Sequence, residues 1–425
     1  MSLRAGFAEV DITPPMGTRK IGWLREIVGD TLIDPLYAHL AVIECDGEAI
    51  AFVQLDTLSV RWTTTEDIRR RVADAYGFAH DRLMVSATHN HAGPAIATCA
   101  QSVRDEAYIE SLVTKVVATF GQALDNRRDA QIGLGSCAEF GISHNRRTAL
   151  RDGTTRTHGA FNPDTDLYVE GPIDPEVAVL AARDTDGKLL GAIVNFACHP
   201  THHGGGTGFS AGFPGALAAE MKQRGCPVTL YLNGACGNIS AGDPYRGIAL
   251  EMEQVGQRLA EDAAKVIEGM AFRDSAQLGG TRRTIQLPYR TVTDNEVKGT
   301  VPGAQRFIDP KLYDIGMPKL TARIRERGTQ PAEVQALFLD DYVFVSIPAE
   351  YFVQLGLRIK QGAQPRRALV VSCANGMVGY VPTREAFPRG GYETTFISSS
   401  RIGPGAGEML ADCAIELIQQ KEQSQ

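Results

Sequence analysis

The sequence predicts an α/β fold: layered mixed β-sheets with flanking helices, and an active site at the carboxyl ends of strands. Three observations carry this reading. Strand-like apolar runs rich in β-branched and aromatic residues alternate with helix-like segments. No internal repeat, low-complexity tract or long linker interrupts them. Five of the strand-like runs end directly in hydrogen-bonding or metal-ligating residue types, which is where open α/β sheets build their sites.

The elements follow in chain order. Residues 50–55 (IAFVQL) read as a strand, and 64–75 as a helix with Thr64 or Thr65 near its cap. Residues 83–86 are the next strand, and apolar residues at helical spacing mark 105–124 as a helix. Residues 189–196 (LLGAIVNF) and 228–232 (VTLYL) are strands. A long amphipathic helix is expected over 249–270, strands over 342–347 (YVFVSI) and 368–371 (ALVV), and a closing helix over 407–420. The stretch 288–331 is more polar, with several Gly and Pro, and fits a lid, a subunit contact or an ordinary excursion.

Composition excludes several classes of function. With 43% hydrophobic and 22% charged residues, the 425-residue chain has the balance of a globular protein with a sizeable core. Lys+Arg 43 against Asp+Glu 50 leaves a net charge of −7, and no basic block appears, so nucleic acid is not an expected partner. No apolar run reaches the roughly 18–20 residues that cross a bilayer. The N-terminal MSLRAGFAEVDITPP lacks the apolar stretch of a signal peptide, so a cytoplasmic location is expected. Cys45, Cys198, Cys373 and Cys413 sit in or beside apolar segments without a CxxC pair, which reads as buried free thiols. The Gly-rich 233–242 lacks the Lys-Ser/Thr ending of a P-loop, and no G-x-S-x-G elbow is present.

The residues after the strands point to chemistry. The strand at 83–86 runs into Ala-Thr-His89-Asn-His91, that at 189–196 into Ala-Cys-His199-Pro-Thr-His202-His203, and that at 228–232 into Asn233-Gly-Ala-Cys-Gly-Asn238-Ile-Ser240. The strand at 342–347 runs into Pro-Ala-Glu350, and that at 368–371 into Ser-Cys-Ala-Asn375. Five of the nine histidines fall in two of these segments. An H-x-H pair on extended backbone puts both rings on one face. One ring can then bind a metal while the other acts as acid or base, and N/O donor sets of this kind suit zinc with an open position for water. Glu350 opens the helix-like run EYFVQLGLRIK, where it is either a favourable acid in a first helical turn or a functional group.

Seven motifs stand in order across nearly the whole chain: Asp-Ile-Thr-Pro-Pro at 11–15, Asp34-Pro-Leu-Tyr37, Thr88-His-Asn-His-Ala-Gly-Pro94, His199-Pro-Thr201, Asn233-Gly-Ala-Cys-Gly-Asn-Ile-Ser240, Pro348-Ala-Glu350, and Tyr380-Val-Pro-Thr with Tyr392-Glu393. Together they resemble the neutral/alkaline (non-lysosomal) ceramidase family. The resemblance implies a catalytic Zn2+ held by His89, His199, Glu350 and Tyr380. It implies His91 and Tyr392 over the substrate carbonyl. Arg146, with Arg147 beside it, matches an active-site arginine. On this reading 1–425 is a single ceramidase-like catalytic domain without the family's C-terminal β-sandwich domain, because only 32 residues (425 − 393) follow Glu393.

Two motifs depart from the family. Its Gly-Asp-x-Ser-Pro pattern stands here as Gly237-Asn238-Ile-Ser240-Ala241, and its Ser-Ala-Asp-x-Pro-Gly pattern as Ser210-Ala-Gly212-Phe-Pro-Gly215, both losing an acid. The expected function is a zinc-dependent hydrolase in which activated water cleaves an amide (N-acyl) bond of a small or soluble molecule. The alternative is a zinc-dependent esterase, lactonase or isomerase acting on small polyhydroxy acids. A third reading, a binding protein that has lost catalysis, predicts missing ligands, yet all four ligand types are present. The partner is a small-molecule substrate, and a symmetric homo-oligomer is compatible with this class of enzyme.

Overall fold

A computed structural model describes residues 3–99, 101–245 and 247–423. Eight strands form the larger sheet: β1 (Leu3–Asp11), β2 (Tyr37–Cys45), β3 (Glu48–Leu55), β4 (Leu83–Ala87), β5 (Arg128–Ala138), β6 (Glu176–Asp184), β7 (Leu189–Phe196) and β8 (Thr229–Asn233). Their order is β8-β7-β6-β5-β1-β2-β3-β4. Neighbours are antiparallel except the two outer pairs, β3/β4 and β7/β8, which are parallel. A second sheet, β9 (Leu278–Pro288), β10 (Thr329–Leu339), β11 (Tyr342–Ile347) and β12 (Arg367–Ser372), runs in chain order and also ends in a parallel pair.

The central strands are buried on both faces, which explains their continuous apolar runs. In β3, Ile50 and Phe52 turn towards the second sheet, where Phe52 meets Phe344 edge-on with ring centroids 4.8 Å apart. Ala51, Val53 and Leu55 of the same strand face helices α1 (Trp62–Tyr76) and α2 (Glu106–Asp125). Helices α3 (Gly212–Gln223) and α4 (Met252–Glu268) cover the other half of that outer face through Phe213, Leu217, Val255 and Leu259. The 288–331 stretch holds α5 (Asp294–Lys298), α6 (Pro310–Asp314) and α7 (Met317–Arg327). Helices α8 (Val353–Gly362) and α9 (Ala406–Gln423) close the far side against β10 and β11. The layers therefore run helix, sheet, sheet, helix, as the α/β expectation required.

The expected elements are all found, most with ends shifted by one to three residues. Helix α1 starts at Trp62 after an extended Arg61, so Thr64 and Thr65 lie buried inside it and cap nothing. Asp105 does cap α2, accepting from Tyr108 N. Strands β1, β2, β5, β6, β9 and β10 were not anticipated; β9 and β10 occupy the two ends of, and flank, the polar stretch at 288–331. No helix among the described residues is long and apolar enough to cross a membrane.

One tertiary feature sets up the site. Strands β4 and β8 are opposite edges of the large sheet, yet the sheet coils until they meet. Tyr231 N in β8 donates to Gln54 Oε1 in β3 (3.3 Å), and Asn233 Nδ2 donates to Thr88 O just after β4 (3.1 Å). Asn195 Nδ2 in β7 also reaches Val370 O in β12 (2.9 Å), tying this junction to the second sheet. The ends of β4, β7 and β11 are thereby brought to one place.

Candidate metal centre and its cavity

Three imidazoles converge at those strand ends. The Nε2 atoms of His89 and His199 are 3.0 Å apart, those of His91 and His199 3.1 Å, and those of His91 and His89 3.4 Å. Each ring is held from behind by a backbone carbonyl: His89 Nδ1 donates to Leu58 O (2.7 Å), His91 Nδ1 to Gly22 O (3.1 Å) and His199 Nδ1 to Cys236 O (3.2 Å). A carbonyl only accepts, so each Nδ1 carries the proton and each Nε2 lone pair faces the centre, the arrangement typical of metal-ligating histidines. Burial, followed by the neighbouring His89, holds His91 and His199 well below the ordinary imidazole range. Burial also opposes a charge on His89, but Glu350 beside it prevails and raises its pKa.

The backbone route differs from the extended one expected for H-x-H. His89 takes a left-handed φ of 68°, with His89 N and Asn90 N both donating to Thr57 O. The two rings meet because the chain turns, not because a strand alternates. Glu350 likewise lies outside a helix: Glu350–Tyr351 is a two-residue strand, and α8 starts at Val353. That short strand pairs in parallel with Tyr380–Val381, placing Glu350 directly opposite Tyr380. Glu350 Oε2 stands 3.3 Å from His89 Nε2 and 3.8 Å from His199 Nε2. Burial, then the Glu350 charge, keeps the Tyr380 phenol far above its ordinary range. A Cβ on Gly237 would lie 2.5 Å from Glu350 O, so only glycine lets this loop pass the carboxylate's backbone.

The expected site residues come together. Arg146 Nη2 donates to Tyr380 Oη (3.2 Å) and to Gly237 O (2.7 Å). Tyr392 packs edge-on against Tyr380 at 5.6 Å between ring centroids. The neighbouring Arg147 turns away, to Glu393 Oε2 (2.8 Å), Gly390 O (2.9 Å) and Glu170. His202, by contrast, donates to Leu250 O from Nε2 (2.8 Å), and the exposed His203 lies outside the imidazole cluster. Asn238 is structural here, accepting from Val353 N at the start of α8 (2.9 Å) and donating to Gln354 Oε1 (2.9 Å). Ser240 Oγ is buried, with no hydrogen-bond partner among the described residues. Asn233 and Asn375 stitch strand ends, the latter accepting from Val85 N (2.9 Å). At Ser210-Ala-Gly212, Asp34 accepts from Ala211 N (2.7 Å) and Ser210 Oγ.

Glu393 carries more of the site than sequence reasoning assigned to it. It is fully buried and accepts from Arg146 Nε, Arg147 Nη1 and Thr157 Oγ1, each at 2.8 Å. Burial alone would raise its pKa, but the two guanidiniums hold it at about 2, below the ordinary 4.5. Its contribution to stability is therefore complete above about 4.5 and is lost as pH falls towards 2. Glu393→Gln should cost about 3–5 kcal/mol at pH 7 and flatten that acid limb. Urea unfolding between pH 7 and pH 3 measures both; parallel wild-type and variant curves would refute the assignment.

A cavity of about 450 Å³ opens over the imidazoles. Its polar floor is His89, His91, His199, Glu350, Tyr380, Tyr392 and Arg146, and its walls include Trp23, Leu24, Leu58, Phe307, Ile308 and Tyr313. Phe307, Ile308 and Tyr313 come from the 288–331 stretch, which thus forms one wall of the site. No local signal marked these wall residues, except that Trp23 is one of two tryptophans in the chain.

The fold is shared with solved neutral ceramidase structures. The chain resembles, over 99% of its length, the crystal structure of neutral ceramidase from Pseudomonas aeruginosa (TM-score 0.75, 20% identity, 75% of that chain covered). It is similarly close to a ceramidase complexed with C2 (TM-score 0.76, 19% identity, 99% of this chain and 76% of that one). In sequence, 175 residues are 27% identical to the neutral ceramidase of Pseudomonas aeruginosa, covering 39% of this chain and 25% of that relative. No family model matches the chain.

Proposed function

We propose that the chain is a zinc-dependent hydrolase that cleaves the amide bond of a neutral N-acyl compound with an apolar acyl group. The observation that carries this is the convergence of three imidazoles and a carboxylate at the foot of an apolar-walled cavity. The donor set fits such an ion. Zn–N bonds of about 2.0–2.1 Å around a tetrahedral centre put ligand atoms roughly 3.3 Å apart; the Nε2 atoms of His89 and His199 are 3.0 Å apart, and Glu350 Oε2 is 3.3 and 3.8 Å from them.

His89, His199, Glu350 and Tyr380 would hold the ion. When bound, zinc supplies Lewis acidity that polarises a carbonyl and acidifies water. His91 Nε2, neutral at ordinary pH, takes the proton from the attacking water and returns it to the leaving nitrogen. The water oxygen bonds to the acyl carbon, the C–N bond breaks, and a carboxylic acid and an amine leave. Tyr392 and Arg146 donate hydrogen bonds to the carbonyl oxygen as it gains negative charge. Glu393 already balances the Arg146 charge, so Arg146 is a hydrogen-bond donor more than an anchor for a substrate carboxylate.

The walls favour this reading over one built on polyhydroxy acids. A sugar acid needs several convergent hydrogen-bonding groups, whereas Trp23, Leu24, Leu58, Phe307 and Ile308 offer mostly apolar contact. The volume suits one short acyl chain beside the scissile bond. Panels of N-acyl-sphingoid, N-acyl-amino-acid and aldonolactone substrates test the proposal on zinc-loaded protein. Turnover is expected on neutral N-acyl amides with short chains; turnover confined to the lactones would overturn it.

A further inference from the structure

Lys20 is 2% exposed, and its ammonium donates to three backbone carbonyls of one loop: His203 O (3.2 Å), Gly206 O (2.7 Å) and Gly208 O (2.6 Å). Among the described residues no carboxylate pairs with it; Asp30 attracts it from farther away. Burying an ammonium is costly unless its hydrogen bonds are met, so this lysine calls for a structural reason. The loop it holds follows His199 and contains the run Gly204-Gly205-Gly206.

That loop and the segment after Lys20 grip His91 from two sides. From the segment, Gly22 O accepts from His91 Nδ1 (3.1 Å). From the loop, Pro200 O accepts from His91 N (3.2 Å), and Gly204 packs so closely that a Cβ there would lie 3.0 Å from His91 Cβ and 2.8 Å from Trp23 Nε1. Only a residue without a side chain fits between them. Two side chains bind the halves of this grip to each other. Lys20 does so from inside, and Arg25 does so at the surface through Gly205 O (3.0 Å).

We propose that Lys20 is the positioning residue for His91: its ammonium ties the glycine loop to the segment bearing Gly22, and so keeps the imidazole aimed at the centre. The catalytic meaning of that aim rests on the hydrolase reading above, whereas the tie itself does not. Removing the ammonium takes a donor from three inward carbonyls, of which His203 O keeps Gly206 N (3.3 Å), and the loop should open. A small alkylammonium ion can refill the space; a quaternary ion, having no N–H, cannot.

The test is Lys20→Ala, compared with wild type by hydrogen exchange over residues 203–208 and by the His91 Nδ1–H signal in 15N-histidine-labelled protein. Loop exchange should rise about tenfold or more, as for a local opening, and the His91 signal should be lost. Ethylammonium should reverse both changes and tetramethylammonium neither. On a substrate the wild type cleaves, kcat should fall about 10²-fold, the scale of a misplaced reacting group, with KM moving far less. Unchanged exchange, an intact His91 signal, or equal effects of the two ammonium ions would overturn the proposal. If Lys20→Ala does not fold, Gly204→Ala, which pushes on His91 from the loop side, should lower kcat and shift the His91 signal; wild-type values of both would also overturn it. If the wild type cleaves nothing, the hydrolase reading fails while exchange and the His91 signal still decide the tie.

Discussion

His199→Ala should abolish both zinc binding and turnover, the turnover by about 10³-fold or more, the scale of losing a main source of transition-state charge stabilisation. The ring is fixed by Cys236 O behind it, and its Nε2 stands 3.0 and 3.1 Å from those of His89 and His91, at the centre of the cluster. The fold should persist, because the loss to the protein itself is one hydrogen bond, about 1 kcal/mol, in a densely packed layer. Metal analysis of the purified variant, beside His89→Ala and Glu350→Ala, reads the result directly. Wild-type zinc content in all three would remove the ligand set from consideration.

His91→Gln should separate metal binding from chemistry. If His91 is the proton carrier, zinc content stays at the wild-type level while kcat drops about 10²–10⁴-fold, the usual worth of a positioned acid–base group. The geometry makes this measurement decisive, because His91 Nε2 stands as near to His199 as His89 does. Parallel loss of zinc and activity would instead make His91 a third imidazole ligand and pass the proton to another group. Tyr392 is a poor replacement, since burial, then the Glu350 charge, raises its phenol above the ordinary range.

Much of the fold was legible because the signals are local. The run IAFVQL is apolar at every position but one, since β3 is covered on both faces, and a buried strand reads so in any neighbourhood. Residues 189–196 and 342–347 were bounded correctly for the same reason. The long strands β9 and β10 were harder to see. β9 in particular is mixed in character, its residues Gly280–Arg283 partly exposed and Arg282 engaged by Glu66 and Glu333, so no apolar alternation marks it. The helix start at Trp62 was missed because Thr64 and Thr65 looked like caps, whereas packing inside the helix claimed them.

In the site, the chain itself determined which residue types stand at strand ends: H-x-H after β4, His-Pro-Thr after β7, Glu after β11. It also carried the ordered motifs of the ceramidase resemblance. Tertiary structure brought together the histidines and the Arg146 that the resemblance implied, and it alone decided that Glu393 holds both arginines and that Trp23, Phe307 and Tyr313 form walls. The physical reason is distance along the chain. His89 and His199 are 110 residues apart, and Arg146 and Glu393 are 247 apart. Propensity and periodicity act over a turn or a strand, while such meetings depend on a sheet coiling until its two edges touch.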